Sequence, residues 1–523
     1  MWLWRIFLSL KMIDYKQLWD VIEGFYHLPL SAYKCFSFSG EDVKRFLGGQ
    51  LTQDIELLSK DCALYSARLN GKGQIVSWQI LFEHQSVIHV MIERDLASDF
   101  KSDLEKYIIM DDVEIHEVEQ SFKIVFGIAA TSLPGPWLLY YGLPAKIVES
   151  TSIKNDFKNL DAEVEDLLKV YSAWPIWNKT LTPLTLVNET IFETIGISYK
   201  KGCFLGQETA AKIHNRRGAS YAPALLIGND PLDSGAFQCM ERKGGVVIAQ
   251  TQSQQKYIHL CQLFREFRID SFEIEVGGSQ YEVATTSAPF QMSRKDWAEK
   301  IFDRGTDYFN GDKEGLALEL LKLSLELDPT FADAYEVVGV ILGRHEKYQE
   351  AIDYMDKLSE VDPHSVMAHT NKSLYLMKLG NITGAEEEKS KATVKTFERF
   401  GREAQSKREK EKQLEVERAE TQRRFSMFNQ VLEIDPEDEI ALYGLGDLAF
   451  AAEDFQVALD YFKKVLLSNP SHSRSYLMAG KCLEKLEQKS EARQMYQTGM
   501  SVATKAGELM PATEMRTRLV ALN

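Results

Sequence analysis

The chain has 523 residues, is 44% hydrophobic and 26% charged, and carries a formal net charge of −16. That composition supports large cores and suits about three domain-sized units. The acidic excess disfavours tight, non-specific binding to nucleic acid, which draws on clustered Lys and Arg, so no direct nucleic-acid partner is expected.

The N-terminal run Met1-Trp2-Leu3-Trp4-Arg5-Ile6-Phe7-Leu8-Ser9-Leu10-Lys11 is apolar. It is too short to cross a bilayer, which takes about 20 apolar residues, and it lacks an early basic region and a small-residue cleavage site. A membrane-touching start and an over-extended gene start with Met12 as first residue are the two readings; no other segment is expected to span a membrane. Residues 1–32 are taken as an extension and a first helix. The six cysteines, Cys35, Cys62, Cys203, Cys239, Cys261 and Cys482, include no C-x-x-C pair. They read as reduced thiols of a cytoplasmic protein, without a disulfide framework, a zinc ribbon or any assigned metal ligand set.

Further along, Glu41 to Leu47, then Leu51, reads as a helix after the turn at Ser39-Gly40. Asn70-Gly71-Lys72-Gly73 is a turn signal, and Ile75 to Phe82 and Ser86 to Ile92 read as paired strands rich in β-branched and aromatic residues. Next comes the octapeptide Lys201-Gly202-Cys203-Phe204-Leu205-Gly206-Gln207-Glu208. Its two glycines allow a tight turn and close approach to a ligand. A cysteine beside a lysine in such a loop suits a stabilised thiolate, a nucleophile or a soft ligand. Lys201, Lys212, Arg216 and Arg217 concentrate positive charge there and would attract an anion. The plainer alternatives are a packed cysteine, a mutual Lys201–Glu208 salt bridge and solvated arginines. From Ala222 to Thr286 the pattern is again strand-like, broken by Asn229-Asp230-Pro231, Gly244-Gly245 and Gly277-Gly278, which suggests a small antiparallel barrel or sandwich.

After residue 295 helical periodicity takes over with a 34-residue repeat. Gly305, Gly339, Gly446 and Gly480 occupy one repeat position. Ala317, Ala351, Ala385, Ala458 and Ala492 occupy the place twelve residues later, and Pro329, Pro363, Pro436 and Pro470 close units. Small residues let the two helices of a unit approach, and proline turns the chain into the next. This is the tetratricopeptide pattern, about six units with the third and fourth degenerate. Glu386 to Arg424, dense in Glu, Lys and Arg, reads as a long projecting helix supported by pairs such as Glu387/Lys391 and Glu403/Lys407. Tyr443, Phe450, Lys481 and Lys485 are candidates for a partner groove.

The octapeptide meets the signature K-G-C-[FY]-x-G-Q-E at every fixed place. Gly40-Glu41-Asp42-Val43-Lys44-Arg45-Phe46-Leu47-Gly48-Gly49-Gln50-Leu51-Thr52-Gln53-Asp54 looks like G-x-D-a-x-x-F-L-q-G-Q-L-T-n-D. Together with Asn70-Gly71-Lys72-Gly73 these segments make residues 33 to 290 resemble the YgfZ family of folate-binding iron–sulfur maturation proteins, itself similar in fold to the glycine-cleavage aminomethyltransferase. The fold implied is an α+β N-terminal region, with aminomethyltransferase-like subdomains around a folate channel (33–218) and a small β-barrel (219–290). An all-α tetratricopeptide solenoid follows: units 1–3 in 296–399, a long charged helix with a degenerate unit in 400–438, and units 5–6 with a C-terminal helix in 439–523.

The resemblance implies Cys203 as the operative residue and tetrahydrofolate bound by Lys201, Gly202, Gly206, Gln207, Glu208, Lys212, Arg217, Asn70 and Asp54, with Glu208 a candidate acceptor for the pterin ring. The sequence departs from the pattern where relatives in the transferase group carry an acidic pair: here stand Ser77-Trp78, and neither is a carboxylate base. Lys212 replaces the usual arginine, and Ser172-Ala173-Trp174-Pro175-Ile176-Trp177 replaces an Arg-Ile-Glu-x-Gly-Ile-Pro segment. The expected function is an accessory factor for iron–sulfur cluster assembly or repair, indirectly linked to tRNA modification. Its repeat array would hold a client iron–sulfur protein or an assembly protein. The alternatives are a folate-dependent one-carbon transferase and an interaction scaffold with a vestigial folate domain.

Overall fold

The computed structural model describes residues 15–29, 33–119, 122–153, 156–179, 181–216, 218–239, 242–253, 255–268, 272–285 and 292–522. The apolar run at residues 1–11 lies outside them. The chain divides into two compact units, Met1–Thr393 and Val394–Asn523.

Strands β1 (Tyr26–Pro29), β2 (Tyr33–Ser39), β3 (Leu64–Leu69), β4 (Ile75–His84), β5 (Val87–Glu93), β6 (Glu114–Val118), β7 (Phe122–Phe126), β8 (Trp137–Tyr140), β9 (Leu143–Glu149) and β10 (Lys158–Asn159) build two five-stranded sheets. Their orders are β3-β4-β5-β2-β6 and β10-β1-β7-β9-β8, antiparallel except for the β1–β10 pair. Helices α1 (Tyr15–Glu23), α2 (Val43–Gln50), α3 (Ala97–Glu105), α4 (Ala162–Tyr171), α5 (Phe192–Ile195) and α6 (Gln207–Arg216) accompany them. The paired strands expected from the sequence are β4 and β5, with Leu81 opposite Val90. β4 is buried along most of its length because both of its faces are covered. Leu81, with Phe36, Phe38, Val90 and Ile92, packs under Phe46 and Leu47 of α2 and Phe100 of α3. Trp78, Ile80 and Phe82 face the opposite way, into the larger core shared with the second sheet.

Strands β11 (Tyr221–Gly228), β12 (Gly235–Cys239), β13 (Arg242–Ser253), β14 (Lys256–Phe264), β15 (Phe272–Val276) and β16 (Ser279–Thr285) form an antiparallel sheet in the order β12-β13-β14-β11-β16-β15. It curls on its own core of Leu226, Val247, Cys261, Leu263 and Val283. The Cys239 thiol of one end strand meets the Glu275 backbone of the other.

The helical region opens with the pair α7 (Arg294–Asn310) and α8 (Glu314–Leu327), followed by α9 (Ala332–Arg344) with α10 (Tyr348–Val361), then α11 (Val366–Lys378) with α12 (Ile382–Ile434). In the second unit α13 (Glu439–Ala451) pairs with α14 (Phe455–Ser468), α15 (Ser473–Lys485) with α16 (Lys489–Ala506), and α17 (Leu509–Ala521) closes the chain. The repeat glycines are contact points. A Cβ on Gly305, Gly339, Gly446 or Gly480 would lie 3.0, 2.3, 2.7 or 2.3 Å from Leu321, Met355, Phe462 or Tyr496, in each case a residue sixteen places later on the second helix. The repeat alanines are at most 1% exposed.

Two expectations change. Five helix pairs are present among the described residues. The stretch expected to hold a degenerate fourth unit belongs to α12, one continuous helix of 53 residues. Its sequence runs from Asn381 to Pro436 in strong helix formers with no proline to stop it. Lys391 pairs with Glu388 at 2.8 Å instead of with Glu387.

The boundary near residue 290 is also bridged by packing. Trp297, Ala298 and Ile301 of α7 and Leu320, Leu323 and Leu327 of α8 belong to the same core as Trp78 and Tyr140. The Trp297 Nε1–H donates to the Gly142 carbonyl at 2.9 Å. Arg304 and Tyr308 both reach the Glu23 carboxylate of α1. Lys146 of β9, whose side chain is only 6% exposed, meets Glu326 of α8 at 2.6 Å and donates to the Leu133 carbonyl. The other Glu326 oxygen accepts from the Ser132 amide. The first helix pair is therefore an integral part of the α+β body.

Breaking a buried ion pair from one side costs about 3–5 kcal/mol because the remaining charge is stranded. Lys146→Met is expected to lower stability by a few kcal/mol in chemical denaturation, and adding Glu326→Leu is expected to restore most of the loss. Additive effects of the two changes would refute the coupling.

Candidate functional site

The octapeptide runs from the loop after α5 into the first turn of α6. Its anchor is Phe204, 7% exposed, while Cys203 stands exposed at the surface. Burial pushes the Cys35 and Cys482 thiols up to about 12, outside the reactive range.

Lys201 sets the position of the loop. Its ammonium donates to the Gly48 carbonyl at 2.5 Å and the Leu51 carbonyl at 2.6 Å, and sits 5.0 Å over the Phe204 ring. Those carbonyls close the C-terminal end of α2, where a cation also opposes the negative end of the helix dipole. Burial pushes the Lys201 ammonium down to about 8, with Asp54 pulling it the other way. The alternative of a Lys201–Glu208 bridge is not realised. Glu208 instead pairs with Lys212, one helical turn along the exposed face of α6, at 2.6 Å.

The two sequence segments, about 150 residues apart, are stitched together beneath the loop. Thr52, fully buried, donates to the Gly196 carbonyl at 2.5 Å, and its hydroxyl accepts from the Ala67 amide at 2.8 Å. The Ser198 amide donates to the Thr52 carbonyl, and the Gln53 side chain to the Ile195 carbonyl. Gly206 makes the third joint. At φ +83°, a Cβ there would fall 2.5 Å from the Asn70 carbonyl and 3.3 Å from Gly73 Cα, so the loop crosses the Asn70–Gly73 turn with no room for a side chain. Gln207 then opens α6.

Together these contacts leave a cleft of about 300 Å³ walled by Lys44, Arg45, Gly48, Gly49, Asp54, Ile55 and Glu56 on one side and Lys201, Gly202 and Cys203 on the other. Of the residues expected to form the site, Cys203, Lys201, Gly202 and Asp54 are brought together. Asp54 also caps the short helix Ile55–Leu57 by accepting from the Glu56 amide. Asn70 is occupied inside its own turn, accepting from the Lys72 and Gln74 amides and donating to the Gln74 side chain. Glu208 and Lys212 face solvent as a pair, and Arg217 lies outside the described residues.

On the opposite wall sequence reasoning singled out Asp54 alone. Gly48 and Gly49 were visible only as part of a matching segment. It also missed the polar hub that seats α6. There the Asn188 amide donates to Glu193 (2.7 Å) and to the Ala210 carbonyl (3.1 Å), Tyr199 donates to Glu193 (2.7 Å), and His214 meets the same carboxylate at 2.6 Å. No group of three or more potential metal-ligating His, Cys, Asp or Glu residues occurs among the described residues.

The place where the resemblance puts an acidic pair is apolar. Trp78, with no exposed surface, stands edge-on to Tyr33 and Trp174 and tilted against Phe192. Ser77 points the other way, accepting from the Gln79 side chain. Trp174, from the divergent segment, also packs on Tyr65, Tyr140 and Tyr141. The preceding Ala173 takes φ +50°, a left-handed turn uncommon outside glycine. Two carboxyls border this cluster: Glu165, which accepts from the Tyr141 hydroxyl at 2.8 Å, and Glu93, which burial pushes up to about 7 against a hydrogen bond from the Trp177 backbone.

The pattern described as Tetratricopeptide repeat matches residues 427–499. The tRNA-modifying protein YgfZ of Aliivibrio fischeri is 23% identical over 271 residues, 46% of this chain and 84% of that protein. The protein of the same name in Yersinia pestis is 25% identical over 267 residues, covering 43% and 80%. A crystal structure of the glycine cleavage system aminomethyltransferase T from Bartonella henselae is 16% identical, covers 53% of this chain and 88% of that one, and superposes with a TM-score of 0.45. The N-terminal half is YgfZ-like, and it is fused to tetratricopeptide repeats.

Two outcomes test this geometry. Gly206→Ala is expected to cost about 1–3 kcal/mol in denaturation and to change the alkylation rate of Cys203. Gly202→Ala, whose Cβ would meet nothing within 4 Å, serves as the control that changes neither stability nor fold. Glu93 supplies the second. Because its folded pKa is raised, its contribution is full below about 4.5 and is lost as pH climbs to about 7. Glu93→Gln is therefore expected to gain stability over the native chain as pH rises from 5 to 8, by at most about 3 kcal/mol. A pH-independent difference would show that the carboxyl is not perturbed.

Proposed function

We propose that the chain is a maturation factor of the YgfZ type whose working group is the Cys203 thiol and whose helical array holds a protein client. The observation that carries this reading is the placement of Cys203: an exposed thiol on a pinned loop, at the wall of a cleft open to a partner. A single thiolate cannot build a cluster site. It can replace one ligand on an iron–sulfur cluster presented by a client, thiolate in and ligand out, with no change in oxidation state. The cluster in this reading is cargo, and the client supplies the other ligands. The relatives are described as tRNA-modifying. For this chain an indirect role is proposed, through maturation of an enzyme that modifies tRNA, because its net charge of −16 disfavours tight, non-specific binding to RNA.

Tetrahydrofolate is the small molecule that the resemblance implies, and three of the residues named for it are engaged elsewhere. Lys201 is turned inward on two carbonyls, Asn70 is spent in its turn, and Glu208 is tied to Lys212 in solvent. A second cleft of about 300 Å³ between the sheets is lined by Tyr65, Trp137 and Trp174 and carries no carboxylate to accept from a pterin. One-carbon transfer is disfavoured for the same reason: Trp78 stands where that chemistry needs a carboxylate base.

In a strain lacking its own YgfZ-type protein, the native chain is expected to restore growth, and Cys203→Ala is expected to fail. The exposed variant should fold within about 0.5 kcal/mol of the native chain. Full rescue by Cys203→Ala would remove the thiol from the mechanism. Calorimetric titration of tetrahydrofolate into the native chain is expected to show no saturable heat, whereas saturable binding would restore a folate-linked function.

A further inference from the structure

The first unit carries an apolar stripe that the fold does not use. On α11, Met367, Leu374 and Met377 are spaced by seven and three residues, which places them on one helix face. They are 41%, 51% and 55% exposed. Single exposed apolar residues are ordinary, but three along about 15 Å of one face form a patch.

The neighbouring face belongs to α9. The two helices lie side by side: the Tyr375 hydroxyl donates to the Gly339 carbonyl at 3.1 Å, and the Tyr375 ring fills the space left by the missing side chain of Gly343. Thirty-four residues before the stripe, at equivalent repeat positions, stand Asp333 and the half-buried Val340, with Glu336 and Val337 between them. Burial and the charge of Asp333 both push the Glu336 carboxyl up. Neither acid has an ion-pair partner among the described residues. One repeat further back, Asp303 of α7 is raised by burial and by Asp307. The flank of the stripe at Asp333 and Glu336 is thus acidic; the cations nearby are Lys378 in the last turn of α11, Arg344 in that of α9, and Lys300 beside Asp303.

We propose that α9 and α11 form a docking surface for a basic amphipathic helix of a partner protein, a reading that rests on the adaptor role above. The partner's apolar face lies on Met367, Leu374 and Met377, whose unbranched methionines repack around unlike side chains. Its lysines or arginines lie over Asp333 and Glu336, relieving the crowding of two carboxylates. This is helix-in-groove recognition, with charge selecting the class of partner.

The test uses the full chain and two fluorescein-labelled probes of about 18 residues, five helical turns, one built from Leu and Lys and one from Leu and Glu. Anisotropy is expected to show saturable binding of the Leu–Lys probe alone. Leu374→Asp with Met377→Asp, and separately Glu336→Lys, are each expected to weaken it at least about tenfold. Leu467→Asp on α14, 82% exposed, is the control expected to leave binding unchanged. Circular dichroism confirms that the variants fold. Equal binding of both probes, or affinity indifferent to the stripe variants, overturns the proposal. Testing the stripe variant in the rescue strain separates the two readings. Probe binding lost with rescue intact keeps the surface and removes the adaptor role.

Discussion

The site depends on one half-buried ammonium. Lys201 reaches across from the octapeptide to the Gly48 and Leu51 carbonyls, and this joins two segments that are distant in the chain. It finishes α2, which would otherwise end on unsatisfied carbonyls, and it fixes the backbone on which Cys203 is displayed. The cleft follows from that joint: one wall is the end of α2 and the helix Ile55–Leu57, the other is the loop itself. A lysine that looks like a ligand-binding charge is therefore a structural clamp, and the net attraction for an anionic ligand at the loop is correspondingly smaller.

The motifs were legible because their residues satisfy backbone constraints that tolerate few substitutes. Gly206 is required by the Asn70 carbonyl 2.5 Å from its absent Cβ, and the repeat glycines by side chains sixteen places on. Strands β4 and β5 showed in their β-branched and aromatic content. The direction of the charges was not legible. Nothing in the order Lys-Gly-Cys-Phe-Leu-Gly-Gln-Glu says that the lysine turns to α2 while the glutamate turns to Lys212. Nor does the sequence show that Trp78 and Trp174, separated by nearly a hundred residues, would meet edge-on.

The helical half was read correctly in its periodicity and less well in its divisions. Periodicity reports which faces are buried, not what buries them. α7 and α8 carry the same small-residue spacing as later pairs, yet Trp297, Ile301 and Leu323 pack into the α+β core. Likewise the run from Glu386 to Arg424 lacks the apolar spacing of a helix pair. A helix without breakers continues through it, held at its base by Glu388 between His369 and Lys391. On Lys481 the expectation of a free groove residue gives way to a pair with Glu514 of α17 at 2.6 Å.

The core that runs from β9 through Trp297 to α8 has a thermodynamic consequence. Elements that share one core melt together, so the thiol loop and the first helix pair, α7 and α8, belong to one cooperative folding unit. A ligand that binds only the folded state adds its free energy to the whole of that unit. A ligand held by that pair then suppresses the unfolding of the Cys203 loop that proceeds through the shared core, without any movement passing between them. The protein would hold its thiol most firmly while a client is aboard.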